Sequence, residues 1–190
     1  MLGSRNAHKL RELTSLIVPH ELVPLPDEIE LPEEVGATFE ENALTKARAT
    51  CRAVGRPSLG EDSGIVVAAL AGAPGIRSAR YAGERASDEK NLIALLRATA
   101  DAEDRDAAYV CALAFVAPSG EERLFEGRCE GRLAESPRGA GGFGYDPIFV
   151  PADGPDRGMT MAELLPEQKN AISHRAKAAR LLAGWLSSRA

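Results

Sequence analysis

Tyr109-Val110-Cys111-Ala112-Leu113-Ala114-Phe115-Val116-Ala117, then Pro118-Ser119-Gly120, then the run Arg123 to Leu133, is the stretch that decides the fold class. Two strand-like runs flank a Pro-Ser-Gly turn, which reads as a long β-hairpin. Helical spacing surrounds it. Upstream, Ser87 is suited to cap a helix carrying Leu92, Leu95, Leu96 and Thr99 on one side. Ile65 to Leu70 is a short apolar run suited to a buried strand. Thr38 and Glu41 form a capping-box pattern, with Phe39, Ala43, Ala47, Cys51 and Val54 at helical spacing until Gly55 and Pro57 stop the helix. Leu10 to Ile17 reads as a short helix, and Pro19, Pro24, Pro26 and Pro32 punctuate an irregular or edge-strand passage. Downstream, Thr160 and Glu163 repeat the capping-box pattern. Ser173 caps a last helix through Trp185, with Ala176, Ala179, Leu182, Ala183 and Leu186 as its apolar stripe. A hairpin among crossover helices predicts an α/β protein with a curved mixed sheet.

The composition narrows the function. A chain of 190 residues is compatible with one domain or two closely joined lobes. A net charge of −5 disfavours general nucleic-acid binding, so phosphate contacts need a local cluster of cations. Cys51, Cys111 and Cys129 are odd in number and widely spaced, which argues against a zinc site or a disulfide framework and for a reducing compartment. With no signal-like N-terminus and no apolar run long enough to span a bilayer, a cytoplasmic protein without membrane attachment is expected.

Several segments carry possible chemistry. Gly141-Gly142-Phe143-Gly144-Tyr145-Asp146-Pro147 joins flexible glycines to two aromatic faces and a carboxylate. Such a segment suits a planar, nitrogen-bearing ligand such as a nucleobase; alone, it reads more simply as a glycine-rich turn with its aromatics in the core. The match of Gly139 to Gly144 to G-x-G-x-x-G is accidental if the following Asp146 to Val150 is extended, because a dinucleotide fingerprint opens a helix. No P-loop is present, and His8, His20 and His174 lack metal-ligand spacing.

Ser4-Arg5-Asn6-Ala7-His8-Lys9 precedes a predicted helix. That is either an anion site suited to phosphate or an ordinary Ser/Asn cap with a solvated lysine. Glu33-Glu34 and Glu61-Asp62-Ser63-Gly64 place hard carboxylates ahead of a helix and a strand, fit for Mg²⁺ or for taking a proton from water, although solvated turns are the commoner outcome. Lys46 shares a helix face with Asn42, as a ligand cation or a solvated lysine. Beyond Lys169, His174 and Arg175 fall in the first turn after Ser173, where cations are unfavourable unless something negative binds.

Taken together, the blocks resemble the inosine triphosphate pyrophosphatase family. They are Ser4-x-Asn6-x-x-Lys9-x-x-Glu12; Thr38-Phe39-x-Glu41-Asn42-Ala43 with Lys46; Glu61 to Gly64; Gly75 with Ser78 to Gly83; Gly142 to Pro147; and Ser173-His174-Arg175. The resemblance runs from Gly3 to about Trp185, and the joint order of the blocks is its specific feature. It implies a long, bent mixed β-sheet flanked by helices, with two lobes around a central cleft, acting as a single pyrophosphatase domain over residues 1–190 and usually as a homodimer. Ser4, Arg5, Asn6, Ala7, His8 and Lys9 would cradle the triphosphate, with Lys46 as a further phosphate cation. Glu34 and Asp62 would ligate Mg²⁺, Asp62 also being the catalytic proton acceptor, and Ser63 would touch the substrate. Phe143, Gly144, Tyr145 and Asp146 would hold the base, with Lys169, His174 and Arg175 completing recognition.

The implied reaction converts ITP, dITP or XTP to the monophosphate and pyrophosphate, with selectivity for the six-position oxygen of the base. The family enters its first motif from a full strand, whereas only Met1-Leu2-Gly3 precede Ser4, so a very short first strand or a start further upstream is expected. Two rivals remain: a Maf-like pyrophosphatase acting on pyrimidine or modified nucleotides, and a silent purine-nucleotide sensor. The Phe-Gly-Tyr-Asp and Ser-His-Arg blocks favour the purine branch over the first. The presence of Glu34 and Asp62 argues against the second.

Overall fold

The computed structural model describes residues 1–155 and 158–189. Its elements in chain order are β1 (Leu2–Gly3), α1 (Ala7–Leu16), α2 (Phe39–Val54), β2 (Ser58–Val67), α3 (Asp88–Ala98), β3 (Asp106–Val116), β4 (Glu122–Leu133), β5 (Phe149–Pro151), α4 (Pro166–Ile172) and α5 (His174–Ser187). The strands form one five-stranded sheet in the order β1-β2-β3-β4-β5. It is mixed: β1 runs parallel to β2 with Leu2 opposite Leu59, and β5 runs antiparallel to β4 with Phe149 opposite Leu133. The predicted hairpin is β3–β4.

The helix boundaries follow from local chemistry. Asn6 caps α1 through its side chain. The Thr38 hydroxyl accepts from the Glu41 amide at 3.2 Å, while the Glu41 carboxylate accepts from Ala37, one residue ahead of the cap, at 2.8 Å. Gly55 ends α2 at φ +62°, a left-handed conformation that glycine adopts without a Cβ penalty.

Four expectations change. The strand expected at Ile65–Leu70 begins at Ser58 and ends at Val67, and Ala68–Leu70 form a 3₁₀ turn. Glu61 to Gly64 therefore lie inside a strand rather than before one. The Thr160/Glu163 pattern opens only a three-residue 3₁₀ turn. The seven-residue α4 was not anticipated, and Ser173 stands between its end and the start of α5. The glycine run is not a dinucleotide fingerprint, as expected: a 3₁₀ turn (Asp146–Ile148) and β5 follow Gly144.

Residue contacts divide the chain into two compact units. The first holds Met1–Asp62, Cys111–Gly127 and the segment from His174 onward; the second holds Ser63–Val110 and Arg128–Ser173. In the first, Leu2, Leu13, Leu59, Leu113, Ala178 and Leu182 are buried together. On the other face of β2, Gly60 lies against α2, and a Cβ there would strike the Ala43 carbonyl. Side chains alternate along a strand, so Asp62 faces α2 with Gly60, while Glu61 faces α1 and α5 with Leu59. In the second unit, Ile65, Val67, Leu92, Leu95, Cys129, Leu133, Ile148, Phe149 and Met161 form the core, and Tyr109 packs on Phe149 with ring centroids 4.7 Å apart. Each fully buried leucine contributes about 1.5–3 kcal/mol to either core.

Candidate active site

Consecutive acids on β2 build two charge clusters in the first unit. Toward α2, Asp62 accepts from the Asn42 amide at 3.0 Å and from the Lys46 ammonium at 3.2 Å. The same ammonium lies 2.6 Å from Glu34 Oε1. Asn42 and Lys46 are one turn apart on α2, and the Asn42 side-chain oxygen Oδ1 accepts from the Gly36 amide at 2.9 Å. That bond ties the loop carrying Glu34 to the helix.

Burial pushes the Asp62 carboxyl above its ordinary range; Lys46 and Lys9 pull it back and Glu34 adds to the rise. Burial works against charge on Lys46, yet Asp62 and Glu34 outweigh it and raise the ammonium's pKa. Asp62 is thus a buried carboxyl with raised proton affinity, the character a general base needs.

Toward α1 and α5, Glu61 is fully buried. Its Oε2 lies 2.6 Å from Lys9 Nζ, and its Oε1 accepts from Arg175 Nη2 at 2.9 Å and Nε at 3.1 Å. Arg175 Nη1 also donates to Glu12. Burial alone would raise the Glu61 carboxyl, but Lys9 and Arg175 hold it well below the usual carboxylate range. The Cys111 thiol, 3.5 Å from Glu61 Oε1, is pushed well up by burial and by that carboxylate.

These facts place the predicted residues. The Asn6 side chain accepts from the His8 and Lys9 amides at 2.9 and 3.1 Å, so Asn6 is the cap of α1. Lys9, however, is no solvated lysine. Ser4 Oγ accepts from the Asn6 amide, and Ala7 opens α1. The Arg5 guanidinium is turned to the carbonyls of Leu25, Pro26, Asp27 and Ile29, a clamp on the proline-rich passage. Arg175, expected to answer a bound anion, meets two protein carboxylates, which offset its unfavourable place at the helix start. His174 is buried beside it in sequence, and its carbonyl abuts Gly127. Ser63 follows Asp62 on β2.

In the second unit, one carboxylate is the hub. Asp146 Oδ1 accepts from the Tyr109 hydroxyl at 3.1 Å; Oδ2 accepts from the Phe143 amide at 3.0 Å and from Lys169 Nζ at 2.7 Å. Lys169 Nζ stands 5.1 Å from the centroid of the Phe143 ring. The Gly144 amide donates to Asp88 at 2.9 Å and the Tyr145 hydroxyl to the Ser78 carbonyl at 2.7 Å. Tyr145 is buried, while Phe143 and Gly144 are half-exposed. A half-exposed aromatic face beside a lysine is suited to a flat, oxygen-bearing ring. Gly142 sits at φ +72°, and a Cβ there would collide with the Asp146 carboxylate, so only glycine fits.

Among the described residues, no group of three or more His, Cys, Asp or Glu side chains is arranged to hold a metal. A Mg²⁺ site completed by substrate phosphates needs only one or two carboxylates, and Glu34 and Asp62 already converge on one cation, the Lys46 ammonium. The donor set fits. Sequence reasoning did not assign Glu12, Asn42, Glu61, Asp88 or Tyr109. Glu12, Asn42 and Glu61 lay within the motif blocks; Asp88 and Tyr109 carried no signal beyond a helix cap and a strand.

The chain matches the Ham1 family over residues 1–185. It is 53% identical over 182 residues to the dITP/XTP pyrophosphatase of Symbiobacterium thermophilum, covering 94% of this chain and 89% of that one. It is 46% identical over 194 residues to the protein of that name from Geobacter sulfurreducens, covering 97% and 96%. Among solved structures, the Staphylococcus aureus Ham1 protein superposes with a TM-score of 0.88 at 40% identity over 100% of this chain and 98% of that one. A HAM1 protein from Coxiella burnetii gives 0.87 at 40% identity over 98% and 97%. These findings bear out the resemblance drawn from the separated sequence blocks, and the chain belongs to the Ham1 family.

Proposed function

We propose that this chain, acting as one catalytic domain over residues 1–190, hydrolyses non-standard purine nucleoside triphosphates such as dITP, ITP and XTP to the monophosphate and pyrophosphate. That reaction removes them from the nucleotide pool before incorporation into DNA or RNA. The observation that carries the reading is the buried Asp62, sharing the Lys46 ammonium with Glu34. The names of the pyrophosphatase relatives support the choice of substrate.

Lys9 and Lys46 attract the triphosphate, together with the Ser4–Lys9 segment. Asp62 orients a water toward the α-phosphorus and takes its proton as the α–β bridge bond breaks, so pyrophosphate departs and the monophosphate remains. Glu34 and Asp62 would hold Mg²⁺, which when bound neutralises charge on the phosphates. Phe143 offers a stacking face for the base, and Lys169 donates to the six-position oxygen, with Gly144, Tyr145 and Asp146 fixing the loop. Adenine carries an amino group at that position and leaves the donor unpaired, a mismatch worth several kcal/mol in a buried pocket. His174 and Ser63 complete substrate contact, and Arg175 holds Glu61 beside Lys9.

The reading includes a cytoplasmic location, supported by three free cysteines. No helix among the described residues is long and apolar enough to cross a membrane. It also includes a homodimer, as the family resemblance implies, so light scattering should give twice the chain mass. Its test is pyrophosphate release with Mg²⁺ from ITP, dITP, XTP, GTP, ATP and dTTP. Preference for the inosine and xanthosine nucleotides, abolished by chelator, is expected; preference for dTTP, or binding without hydrolysis, contradicts it.

A further inference from the structure

We propose that Tyr109 is a positioning residue for base selection: its hydroxyl clamps Asp146 and so holds the Lys169 ammonium over the Phe143 ring. The inference rests on the proposed function and assigns a part to a residue outside every motif block.

The Asp146 carboxylate is the junction of this region. It is buried, and its two oxygens are gripped by three donors from three different elements: β3, the glycine loop and α4. Two of those donors belong to the groups that would meet the base. The Phe143 amide sets where that ring stands, and the Lys169 ammonium is the candidate donor to the six-position oxygen. The third donor, Tyr109, lies in the buried run of β3 and packs on Phe149. It is therefore the grip that ties Asp146 to the sheet.

Without that grip, the carboxylate can rotate about its last bond and exchange its oxygens, because only Oδ2 remains held. Rotation is felt at once by the loop, since the Gly142 backbone lies directly against this carboxylate. Bonds from Gly144 to Asp88 and from Tyr145 to Ser78 anchor the rest of the loop. Loss of Tyr109 thus loosens the slot formed by Phe143 and Lys169 rather than unfolding the segment.

A tyrosine that merely fills the core predicts something different. Its ring packing survives removal of the hydroxyl, so Tyr109→Phe separates the two roles. In the intact chain with Mg²⁺, we expect kcat/KM for ITP and XTP to fall about tenfold through KM, with kcat nearly unchanged. The kcat/KM for ATP should fall clearly less, because adenine shares only the Phe143 stacking contact and gains nothing from Lys169 placement. Asp146→Asn should erode discrimination at least as far, and adding Tyr109→Phe to it should cost nothing more, since both act through one carboxylate.

Proportionate losses on ITP and ATP, no loss at all, or additive losses in the double variant would overturn the role of Tyr109. A wild-type chain that releases no pyrophosphate from ITP would instead overturn the proposed function itself. The melting temperature of each variant, read alongside, separates a loosened slot from an unfolded chain.

Discussion

Each unit of this chain buries a carboxylate centre, and the two are satisfied in opposite ways. In the first unit, Glu61 and Asp62 sit back to back on one strand, each drawing its own lysine, with Arg175, Glu12 and Glu34 completing a charge-rich pair of clusters. In the second, Asp146 meets a single ammonium and two neutral donors, beside aromatic rings. Crowded opposite charges form a centre for polyanions and metals, where energy follows charge more than shape. One carboxylate held by directional hydrogen bonds forms a centre for a flat ring, where geometry decides. The lesson is a division of labour: turnover should depend on the first centre and discrimination on the second.

The largest break is expected from Asp62→Asn. Removing the proton acceptor should lower kcat about 10³-fold on every substrate, with nucleotide binding retained in titration. Next comes Arg175→Met, which leaves Glu61 buried with Lys9 alone. Loss of one partner from a buried ion pair costs roughly 3 kcal/mol, to be read in urea unfolding. Its kcat should fall less than that of Asp62→Asn. Phe143→Ala removes a half-exposed stacking face and should raise KM for ITP by a factor equivalent to about 2 kcal/mol, with little change in melting. Arg48→Ala is the smallest. The Arg48–Glu122 pair is 46% and 35% exposed, so solvent screening limits its loss to under about 1 kcal/mol, with kinetics unchanged.

How legible each centre was differs for physical reasons. The helix after Thr38 and the hairpin around Pro118-Ser119-Gly120 could be read directly, because caps, turns and periodicity are local. The burial of the Glu61-Asp62 pair and its pairing with cations could not. Adjacent acids usually mark solvated turns, and the cations that make burial tolerable here, Lys9, Lys46 and Arg175, come from three separate helices. α4 was missed because seven residues are too few to display a helical period. Tyr109 read only as a strand residue, since its partner Asp146 stands far along the chain. Arg175 misled in a useful way: a cation at a helix start does signal a nearby anion, and the anions proved to be Glu61 and Glu12. Residue types and order thus disclosed the family, while the charge pairing that shapes the site emerged only in three dimensions.

The most direct measurement is a kinetic matrix: kcat and KM of the wild type, Asp62→Asn and Phe143→Ala on ITP, XTP and ATP with Mg²⁺. The account predicts that Asp62→Asn loses kcat alike on all three while keeping the order of KM. It predicts that Phe143→Ala keeps kcat on ITP while its KM advantage over ATP shrinks. If Asp62→Asn altered selectivity, or Phe143→Ala lowered turnover without touching it, the division between the two centres would be contradicted.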